Sequence, residues 1–328
     1  PSGNDSLETM AEVLRDAQRI GISAHIRPDG DALGSTLGLA LSLREMGKDV
    51  FALSNDGIPW NLDFLPGIET IIRPAGDVLD LDVAVAVDTA TKERLGENSV
   101  KALSSAPLLV NIDHHPTNPR YGTLNHIDGS VPAVGQIIYE LLSGNGFPIT
   151  DAVRQNLYTA ISTDTGSFQY PSTTTRTYQI AAEMVAAGLD VGSLNSLIYD
   201  RRPLRCVELL GTMLNEMELR ADNRIASWNY TQATKARLQV QPGDTEGLID
   251  VMRGIDSVIA AAIFEEQKNG LIRVSARSKS GAVNVANVCA MFGGGGHHLA
   301  AGATLPGPIE EASKLYLQAL QNEVERAG

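Results

Sequence analysis

Cysteine, aromatic residues and long apolar runs are all scarce in this chain of 328 residues. Its two cysteines, Cys206 and Cys289, have no CxxC or Cys/His spacing, which argues against a disulfide framework and a zinc-thiolate site. No apolar run reaches the roughly 18 residues that a membrane-spanning helix needs. The first residues, with Asp5 and Glu8, also lack the basic and apolar segments of a signal peptide. We therefore expect a cytoplasmic globular protein without a membrane partner.

Basic residues are outnumbered as well, since 26 Lys and Arg face 39 Asp and Glu and the net charge is −13. This argues against a binder of long duplex nucleic acid, whose affinity depends on many contacts between basic side chains and phosphates. Residues 216–328 contain 11 basic and 13 acidic side chains, so almost all of the acid excess belongs to residues 1–215. Bound cations would neutralise carboxylates there, so a phosphate substrate stays compatible with this charge.

The first half of the chain alternates short apolar runs with helical patterns, which is typical of βαβ units and a parallel sheet. We predict an α/β fold with a mostly parallel sheet and helices on both faces, plus a smaller mixed α/β C-terminal domain. The predicted N-terminal domain covers residues 1–190, the linker 191–215 and the C-terminal domain 216–328. The predicted strands are residues 21–25, 49–53, 82–88, 108–113, 224–230, 257–265 and 271–275; the predicted helices are 33–46, 134–142, 151–162 and 310–326.

Polar residues follow the first predicted strand in the order His25-Ile-Arg-Pro-Asp29-Gly-Asp31. The carboxyl end of a parallel strand is where such folds bind ligands, and a turn at Gly30 would direct both carboxylates and the imidazole into one cavity. Carboxylates suit hard divalent cations, and imidazole shifts the preference toward manganese. The alternative is an Asx turn that caps the following helix.

Acids and histidines end three further elements. Asp88 follows an apolar strand, Asp113-His114-His115 follows another, and Asp164 ends an apolar helix. Singly, Asp88 reads as a helix cap and Asp164 as a helix C-terminal turn. On an extended backbone at most one of the two histidines would point into a given site while the other faces a neighbour or the substrate, and Asp113 would fix an imidazole tautomer. Together with the first cluster, they match what two divalent cations about 4 Å apart require, including a bridging carboxylate.

A glycine-rich segment near the C-terminus ends in His297. Gly294, Gly295 and Gly296 would let backbone N–H groups approach an anion, and the alternative is a flexible loop. Upstream, Arg273, Arg277 and Lys279 follow one another without an intervening acid and would share one face of an extended backbone. The alternative is a solvated basic strand edge.

These motifs resemble the DHH phosphoesterase superfamily, whose name is the triplet Asp113-His114-His115. Its other motifs follow in order as His25-x3-Asp29-x-Asp31, Val87-Asp88-Thr89 and Thr163-Asp164-Thr165-Gly166. The run from Met291 to Gly302 resembles the C-terminal DHH-associated domain of the first type. Size and domain pairing are similar to the oligoribonuclease and phosphoadenosine-phosphatase branch, also called nanoRNase.

The resemblance implies a catalytic N-terminal domain and a substrate-binding C-terminal domain. Two divalent cations are implied, with Mn²⁺ expected and Mg²⁺ as the alternative. The implied metal ligands are His25, Asp29, Asp31, Asp88, His114 and Asp164. His115 would face the scissile phosphate with Asp113 in support, and the implied substrate-binding residues are Arg277, Ser278, Gly294, Gly295, Gly296 and His297.

The expected activity is therefore hydrolysis of short oligoribonucleotides, linear dinucleotides or 3'-phosphoadenosine-5'-phosphate by two-metal activation of water. Short RNA or nucleotides would be the only nucleic-acid partners, and a homodimer stays open. A cyclic di-nucleotide phosphodiesterase is the alternative of the same class. A catalytically silent nucleotide-sensing protein is the alternative of another class, although this chain keeps every residue of the four motifs.

Overall fold

The computed structural model describes residues 3–279 and 281–327 and divides the chain into two units, Pro1–Arg201 and Arg202–Gly328. The division falls inside segment 191–215, where each side of it is helical. The role of that segment as a linker stays a prediction. Among the described residues, every helix is too short or too polar to cross a lipid bilayer.

The described part of the first unit contains a parallel sheet whose strands lie in the order β2-β1-β3-β4-β5. Short 3-10 turns occupy Trp60–Leu62, Ile68–Thr70 and Lys92–Leu95. The strands are β1 (Arg19–Ser23), β2 (Asp49–Leu53), β3 (Val83–Val87), β4 (Leu108–Asp113) and β5 (Leu124–Ile127); the helices are α1 (Leu7–Asp16), α2 (Gly30–Glu45), α3 (Glu97–Ala102), α4 (Val134–Gly144), α5 (Asp151–Asp164), α6 (Thr175–Ala186) and α7 (Val191–Tyr199).

Helices cover both faces of this sheet, as predicted. Strand β3 is buried throughout, and its residues alternate between the two faces. Val83, Val85 and Val87 pack into the large core that contains residues of α1, α2, α4 and α5, whereas Ala84 packs with Ala102 of α3 on the opposite face. A strand that is covered on both sides reads as a continuous apolar run, which is why the sequence pattern identified it.

The strand order places the carboxyl ends of β1, β3 and β4 side by side. The chain passes from β1 through α2 to β2 on one side and then returns to β3 on the other side of β1. The strand order therefore reverses direction at β1. Loops that leave the neighbouring strands in opposite directions open a crevice at such a point, and open parallel sheets bind ligands there. The segments that follow β1, β3 and β4 contain His25, Asp88 and His114.

The second unit is built on a mixed sheet with strand order β10-β11-β9-β8-β7-β6, as the predicted smaller mixed α/β domain requires. Helices α11 and α12 cover one face, while α8 and α10 cover the β7 and β8 part of the other. The elements are α8 (Leu204–Glu216), β6 (Glu218–Arg220), β7 (Ile225–Tyr230), α9 (Gln232–Leu238), α10 (Leu248–Gly254), β8 (Ala260–Glu266), β9 (Leu271–Ser278), α11 (Val285–Ala290), β10 (Gly295–His297), β11 (Ala300–Pro306) and α12 (Ile309–Arg326).

Glycines along one face of α2 allow α5 to pack closely against it. A Cβ atom at Gly34 would lie 2.5 Å from the carbonyl oxygen of Asn156, and one at Gly38 would lie 2.6 Å from a methyl carbon of Leu157. Both distances are shorter than carbon atoms tolerate, so glycine is required for the close approach of the two helices. Because α2 begins at Gly30 and α5 ends at Asp164, this packing fixes which carboxylates meet at the sheet edge.

We predict that Gly34→Ala lowers the free energy of unfolding by about 1–3 kcal/mol, because the added methyl group forces the backbones of α2 and α5 apart. Gly144→Ala is the matched control, since a Cβ there meets no atom within 4 Å. In that helical position alanine should leave stability unchanged or raise it by up to about 1 kcal/mol. Urea unfolding followed by circular dichroism measures both, and equal stability of the two variants would contradict the packing argument.

Candidate metal centre

His25 and Asp29 form the first corner of the cluster. His25 Nε2 lies 3.6 Å from Asp29 Oδ2 and 3.2 Å from Asp88 Oδ2, while its Nδ1 lies 2.8 Å from the carbonyl oxygen of Ile26. Asp29 is also the N-cap of α2, since its Oδ1 accepts a hydrogen bond from the N–H of Ala32. The helix-capping alternative and the ligand hypothesis therefore both describe Asp29, each through a different oxygen atom.

Asp88 lies at the centre of the cluster and is 2% exposed. Its backbone has a φ of 48°, which a non-glycine residue rarely adopts, and its N–H donates to the carbonyl oxygen of Ile112. No described residue donates a hydrogen bond to Asp88 Oδ1, although that oxygen is buried. A buried carboxylate oxygen without a donor is costly unless a cation compensates it. Asp88 caps no helix, since the next helical turn has Thr91 as its N-cap.

Asp31, His114 and Asp164 form the second corner. Asp31 is 1% exposed, and atoms of the three side chains lie within 4.8 Å of one another. His114 Nε2 lies 3.5 Å from Asp164 Oδ2 and 3.6 Å from Asp88 Oδ1. Asp164 is the last residue of α5, so it does end a helix, and its side chain nevertheless reaches the cluster. Asp88 therefore stands between the two corners and approaches both.

Asp31 also holds the start of α4 in place. Its Oδ2 accepts a hydrogen bond from the N–H of Val134 at 2.7 Å, and its Oδ1 accepts one from Gly135 at 2.8 Å and one from the Ser35 hydroxyl at 2.9 Å. The N-cap residue of α4 is Ala133, which offers no side-chain cap. Asp31 thus supplies the missing cap from a distant part of the sequence, and this fixes its carboxylate rigidly.

Both histidines of the triplet approach the same carboxylate, so the expected divergence of their side chains is not seen, although His115 does contact its neighbour Asp113 as expected. His114 Nε2 lies 3.6 Å and His115 Nδ1 3.7 Å from Asp88 Oδ1, and the two rings meet edge to face. Alternation applies only to extended backbone, and β4 ends at Asp113. The chain turns after the strand, so the side-chain directions of His114 and His115 converge.

Asp113 and His115 form a close pair beneath the cluster. Asp113 is fully buried, and its Oδ1 accepts a hydrogen bond from His115 Nδ1 at 2.8 Å. Burial raises the pKa of Asp113, but the hydrogen bond and charge of His115, together with the Asn118 hydrogen bond and the His114 charge, outweigh burial and hold the pKa below its usual value. Burial lowers the pKa of His115, and the same pair together with Asp88 raises it above its usual value. The contact defines which ring nitrogen of His115 carries a proton.

Electrostatics in the cluster favour a bound cation. Burial raises the pKa of Asp31, and the negative charges of Asp88, Asp164 and Asp29 raise it further, well above its usual value. Burial lowers the pKa of His25, but Asp29 and Asp88 outweigh burial and hold the pKa well above its usual value. Carboxylates crowded in this way repel one another unless positive charge is supplied. A divalent cation supplies it without a proton.

The geometry fits metal ligands. Two atoms that bind one ion at right angles with bonds of about 2.1 Å lie about 3 Å apart. Candidate ligand atoms of His25 and His114 lie between 3.2 and 3.6 Å from those of the neighbouring carboxylates, and Asp31 lies within 4.8 Å of His114 and Asp164. Oxygen and imidazole nitrogen are suitable donors for Mn²⁺ and Mg²⁺. The described residues therefore contain groups that can hold divalent cations.

In the second unit, Arg277 and His297 share one row of the sheet. Arg277 is opposite Ala300 on β11, and Ala300 is opposite His297 on β10. Residues directly opposite each other in antiparallel strands point to the same face, so these side chains are on the same side, roughly 10 Å apart across Ala300. This face is opposite the one covered by α11 and α12. Ala276, the neighbour of Arg277 on β9, points the other way and packs in the core that α11 and α12 cover.

Ser278 is not grouped with Arg277. Its side chain is fully buried and alternates onto the opposite face of β9, while its N–H donates to the carbonyl oxygen of Leu299. The hydroxyl of Ser278 thus lies on the other face of β9 from the Arg277 side chain, and the substrate-binding role that the resemblance implies for Ser278 stays a prediction. Sequence proximity on a strand does not imply a shared face.

The glycines before His297 serve mainly to pack β10 against β11, and they do not form a flexible loop. A Cβ at Gly294 would overlap the carbonyl oxygen of Gly302, and one at Gly296 would lie 2.6 Å from the carbonyl oxygen of Ala300. Gly295 differs, since a Cβ there meets no atom within 4 Å. Of the three glycines, Gly295 therefore leaves backbone open on the face that also carries His297.

Comparison with known proteins identifies the family. Residues 19–161 match the DHH family, N-terminal domain, and residues 229–326 match the DHHA1 domain. The chain is 31% identical to the "Bifunctional oligoribonuclease and PAP phosphatase NrnA" of Thermus thermophilus over 99% of this chain and 96% of that protein. The chain belongs to the DHH family. As a DHH-family member that matches such enzymes along its length, it is a phosphoesterase.

Two further relatives support the DHH assignment. The protein of the same name from Bacillus subtilis is 31% identical over 86% of this chain and 87% of its own length. The crystal structure of an exopolyphosphatase-related protein from Bacteroides fragilis has a TM-score of 0.87 and 26% identity, and the match covers 96% of this chain and 95% of that one. The relatives are therefore similar in both domains and in fold.

Asn118 is a site residue of this DHH protein that the sequence analysis missed. It is buried, and its side-chain nitrogen donates to Asp113 Oδ2 at 2.6 Å. The residue stands three positions after His115, where a lone asparagine reads as an ordinary loop residue. No sequence signal distinguishes an ordinary loop asparagine from one that contacts Asp113, because the contact depends on how the chain turns after β4.

We predict that the metal-free protein binds two Mn²⁺ ions per chain and that Asp88→Asn weakens both, because Asp88 approaches both corners of the cluster. Isothermal titration calorimetry measures the number of ions and their dissociation constants. Asp77→Asn is the matched control, because Asp77 is an exposed carboxylate of the same unit. A single ion per chain, or unchanged binding by Asp88→Asn, would contradict a shared carboxylate.

Proposed function

We propose that this chain hydrolyses short oligoribonucleotides and 3'-phosphoadenosine-5'-phosphate with two divalent cations bound at the cluster. The relatives from Thermus thermophilus and Bacillus subtilis have both activities in their names and match most of this chain. The observation that carries the proposal is the position of Asp88, a buried carboxylate between two separate groups of candidate ligands. Such a shared carboxylate is what a pair of cations about 4 Å apart requires.

The two corners of the cluster define the proposed ligand sets, with Asp88 common to both. Manganese is the proposed cation, because each set contains an imidazole and imidazole favours Mn²⁺ over Mg²⁺. When bound, the ions would activate water and stabilise charge on the phosphate oxygens. The first set is His25, Asp29 and Asp88; the second is Asp31, Asp88, His114 and Asp164.

We assign His115 the role of contacting the scissile phosphate, and Asp113 the role of orienting the His115 ring. With Nδ1 donating to Asp113, the other ring nitrogen, Nε2, is the one that we direct toward the substrate. A carboxylate behind an imidazole fixes the ring and stabilises its protonated form, which suits contact with an anion. Because Asp113 is fully buried, this orientation does not depend on solvent.

We assign Arg277 and His297 to binding of the nucleotide, with the open backbone at Gly295 beside them. Both side chains are on one outward face of the second sheet, and both groups bind anions. Ala300 between them is small, so a phosphate or ribose of the substrate has room there. In this division of labour the first unit carries the chemistry and the second unit selects the nucleotide.

We expect the protein to cleave RNA dinucleotides and short oligomers and to release phosphate from 3'-phosphoadenosine-5'-phosphate. Product analysis over RNAs from dinucleotides to decamers, with a cyclic dinucleotide included, tests the substrate class. Chelation should abolish turnover, and Mn²⁺ should restore it better than Mg²⁺. Asp88→Asn should stay inactive with Mn²⁺, whereas Asp77→Asn should match the parent. Full activity after exhaustive removal of metal would refute the proposal. A preference for the cyclic dinucleotide would show that the substrates are cyclic dinucleotides and not short linear RNAs.

Arg277→Ala should separate binding from chemistry. Loss of a charge-assisted hydrogen bond of about 1.5–3 kcal/mol lowers kcat/KM for an RNA dinucleotide by about one to two orders of magnitude. A small aryl phosphodiester that lacks the nucleotide should change by less than about threefold. Arg326→Ala, which removes the same charge from an exposed position of the same unit, is the control. Equal losses on both substrates would show that Arg277 acts in the chemical step.

A further inference from the structure

The side chain of Asn118 lies behind the cluster and joins two of its parts. Its amide nitrogen lies 2.6 Å from Asp113 Oδ2, 2.9 Å from Asn111 Oδ1 and 3.2 Å from the carbonyl oxygen of Thr89. Its amide oxygen accepts a hydrogen bond from the N–H of Arg120 at 2.8 Å. That last contact fixes the orientation of the amide, because only the oxygen can accept. The nitrogen must therefore face the three acceptors.

Thr89 connects this amide to the central carboxylate. Thr89 directly follows Asp88, and its carbonyl oxygen accepts hydrogen bonds from Asn118 and, at 3.0 Å, from the hydroxyl of Tyr121. Asp88 adopts a left-handed backbone, which persists only where the surroundings hold it. Two donors on the next carbonyl group supply part of that support. The turn that presents Asp88 is thus tied to the segment after β4.

The contact with Asp113 reaches the other part of the site. Asp113 is fully buried, so solvent cannot replace a lost donor at its Oδ2. Its Oδ1 accepts from His115, and the carboxylate plane therefore sets the direction of the His115 ring. Hydrogen bonds that involve a charged acceptor are the stronger kind, and the 2.6 Å contact from Asn118 is the shortest that the amide makes. Asn118 itself is 9% exposed and is not placed to touch a substrate.

We propose that Asn118 is a positioning residue that holds the Asp88 turn and the Asp113–His115 pair in register with each other. The inference rests on the proposed function for its catalytic consequence. Asn118 itself would act only indirectly, through its hydrogen bonds to Asp113 and to the Thr89 carbonyl oxygen. Tyr121 donates to the Thr89 carbonyl oxygen and accepts a hydrogen bond from the Asn111 amide, and among the described residues no hydrogen bond joins it to Asp113. A variant of Tyr121 therefore removes support of the Asp88 turn without removing a donor from Asp113.

The test compares Asn118→Ala with Tyr121→Phe in Mn²⁺ binding by calorimetry and in turnover of an RNA dinucleotide at saturating Mn²⁺. Loss of a residue that orients ligands typically costs about 10- to 100-fold in metal affinity or activity. For Asn118→Ala we expect kcat to fall by about that factor with KM within about twofold of the parent, and the Mn²⁺ dissociation constant to rise by about tenfold. For Tyr121→Phe we expect weaker Mn²⁺ binding and a kcat within about threefold of the parent.

Asn156→Ala is the matched control, because Asn156 is a fully buried asparagine of the same unit that donates to the carbonyl oxygens of Pro66 and Ala152. It should lose stability and keep its kcat and Mn²⁺ affinity. Asn118→Leu, which fills a similar volume without donors, replaces Asn118→Ala if the alanine variant does not fold. Normal kcat and Mn²⁺ affinity in a folded Asn118 variant, or equal losses in the control, overturn the inference. If the parent cleaves no RNA, the proposed function fails, and the Mn²⁺ binding comparison still decides the role of Asn118.

Discussion

Mutual repulsion of carboxylates at the carboxyl edge of the first sheet is the constraint on which the rest of the site depends. Asp29, Asp31, Asp88 and Asp164 converge there, and two of them are almost fully buried. Burial and like charge both oppose ionisation, as the raised pKa of Asp31 shows. Such an arrangement is stable only with protons, histidine cations or metal ions between the carboxylates. The two corners offer ligand sets that metal ions can occupy.

The surrounding fold is organised to hold those charges in position. Asp29 and Asp31 bind the amino ends of α2 and α4, where the helix dipoles favour negative charge. Close packing at Gly34 and Gly38 brings the carboxyl end of α5, with Asp164, to the same edge. The packing and capping of these helices thus hold the carboxylates together against their mutual repulsion. This explains why residues with apparently structural roles, such as helix caps, are also candidate ligands.

The sequence was sufficient to predict the central strands of the first sheet. Strands β2 and β4 have the predicted bounds, and β3 differs by one residue at each end, because buried parallel strands are continuous apolar runs. Strand β1 ends at Ser23, two residues before His25, because the chain leaves the sheet to bring the imidazole into the cluster. Strand β5, Leu124–Ile127, was not predicted, since it is short, contains His126 and is only partly buried. Strands β10 and β11 were hidden in a run of glycine and alanine that has no alternation in polarity.

Which residues cluster was predictable, because parallel strands align their carboxyl ends; how the side chains point was not. The convergence of His114 and His115 and the position of Ser278 both depend on where a strand stops or on which face a residue falls. Asn118 shows the same limit, since its contacts join segments that are far apart in sequence. Local pattern determines the elements, whereas the support around a site depends on turns whose geometry the pattern does not encode.

Charge also links metal and substrate in this enzyme. Almost the whole acid excess of the chain belongs to residues 1–215, so the cluster repels a phosphate ester until cations neutralise it. Cations that raise the affinity for phosphate must, by thermodynamic reciprocity, bind more tightly when the phosphate is present. The second unit, where residues 216–328 are nearly neutral and Arg277 faces outward, would carry no such dependence for the anion contacts that we propose for it. In the proposed function, metal would therefore govern attraction of the scissile phosphate, whereas the contacts that we propose between the second unit and the rest of the nucleotide would need no metal.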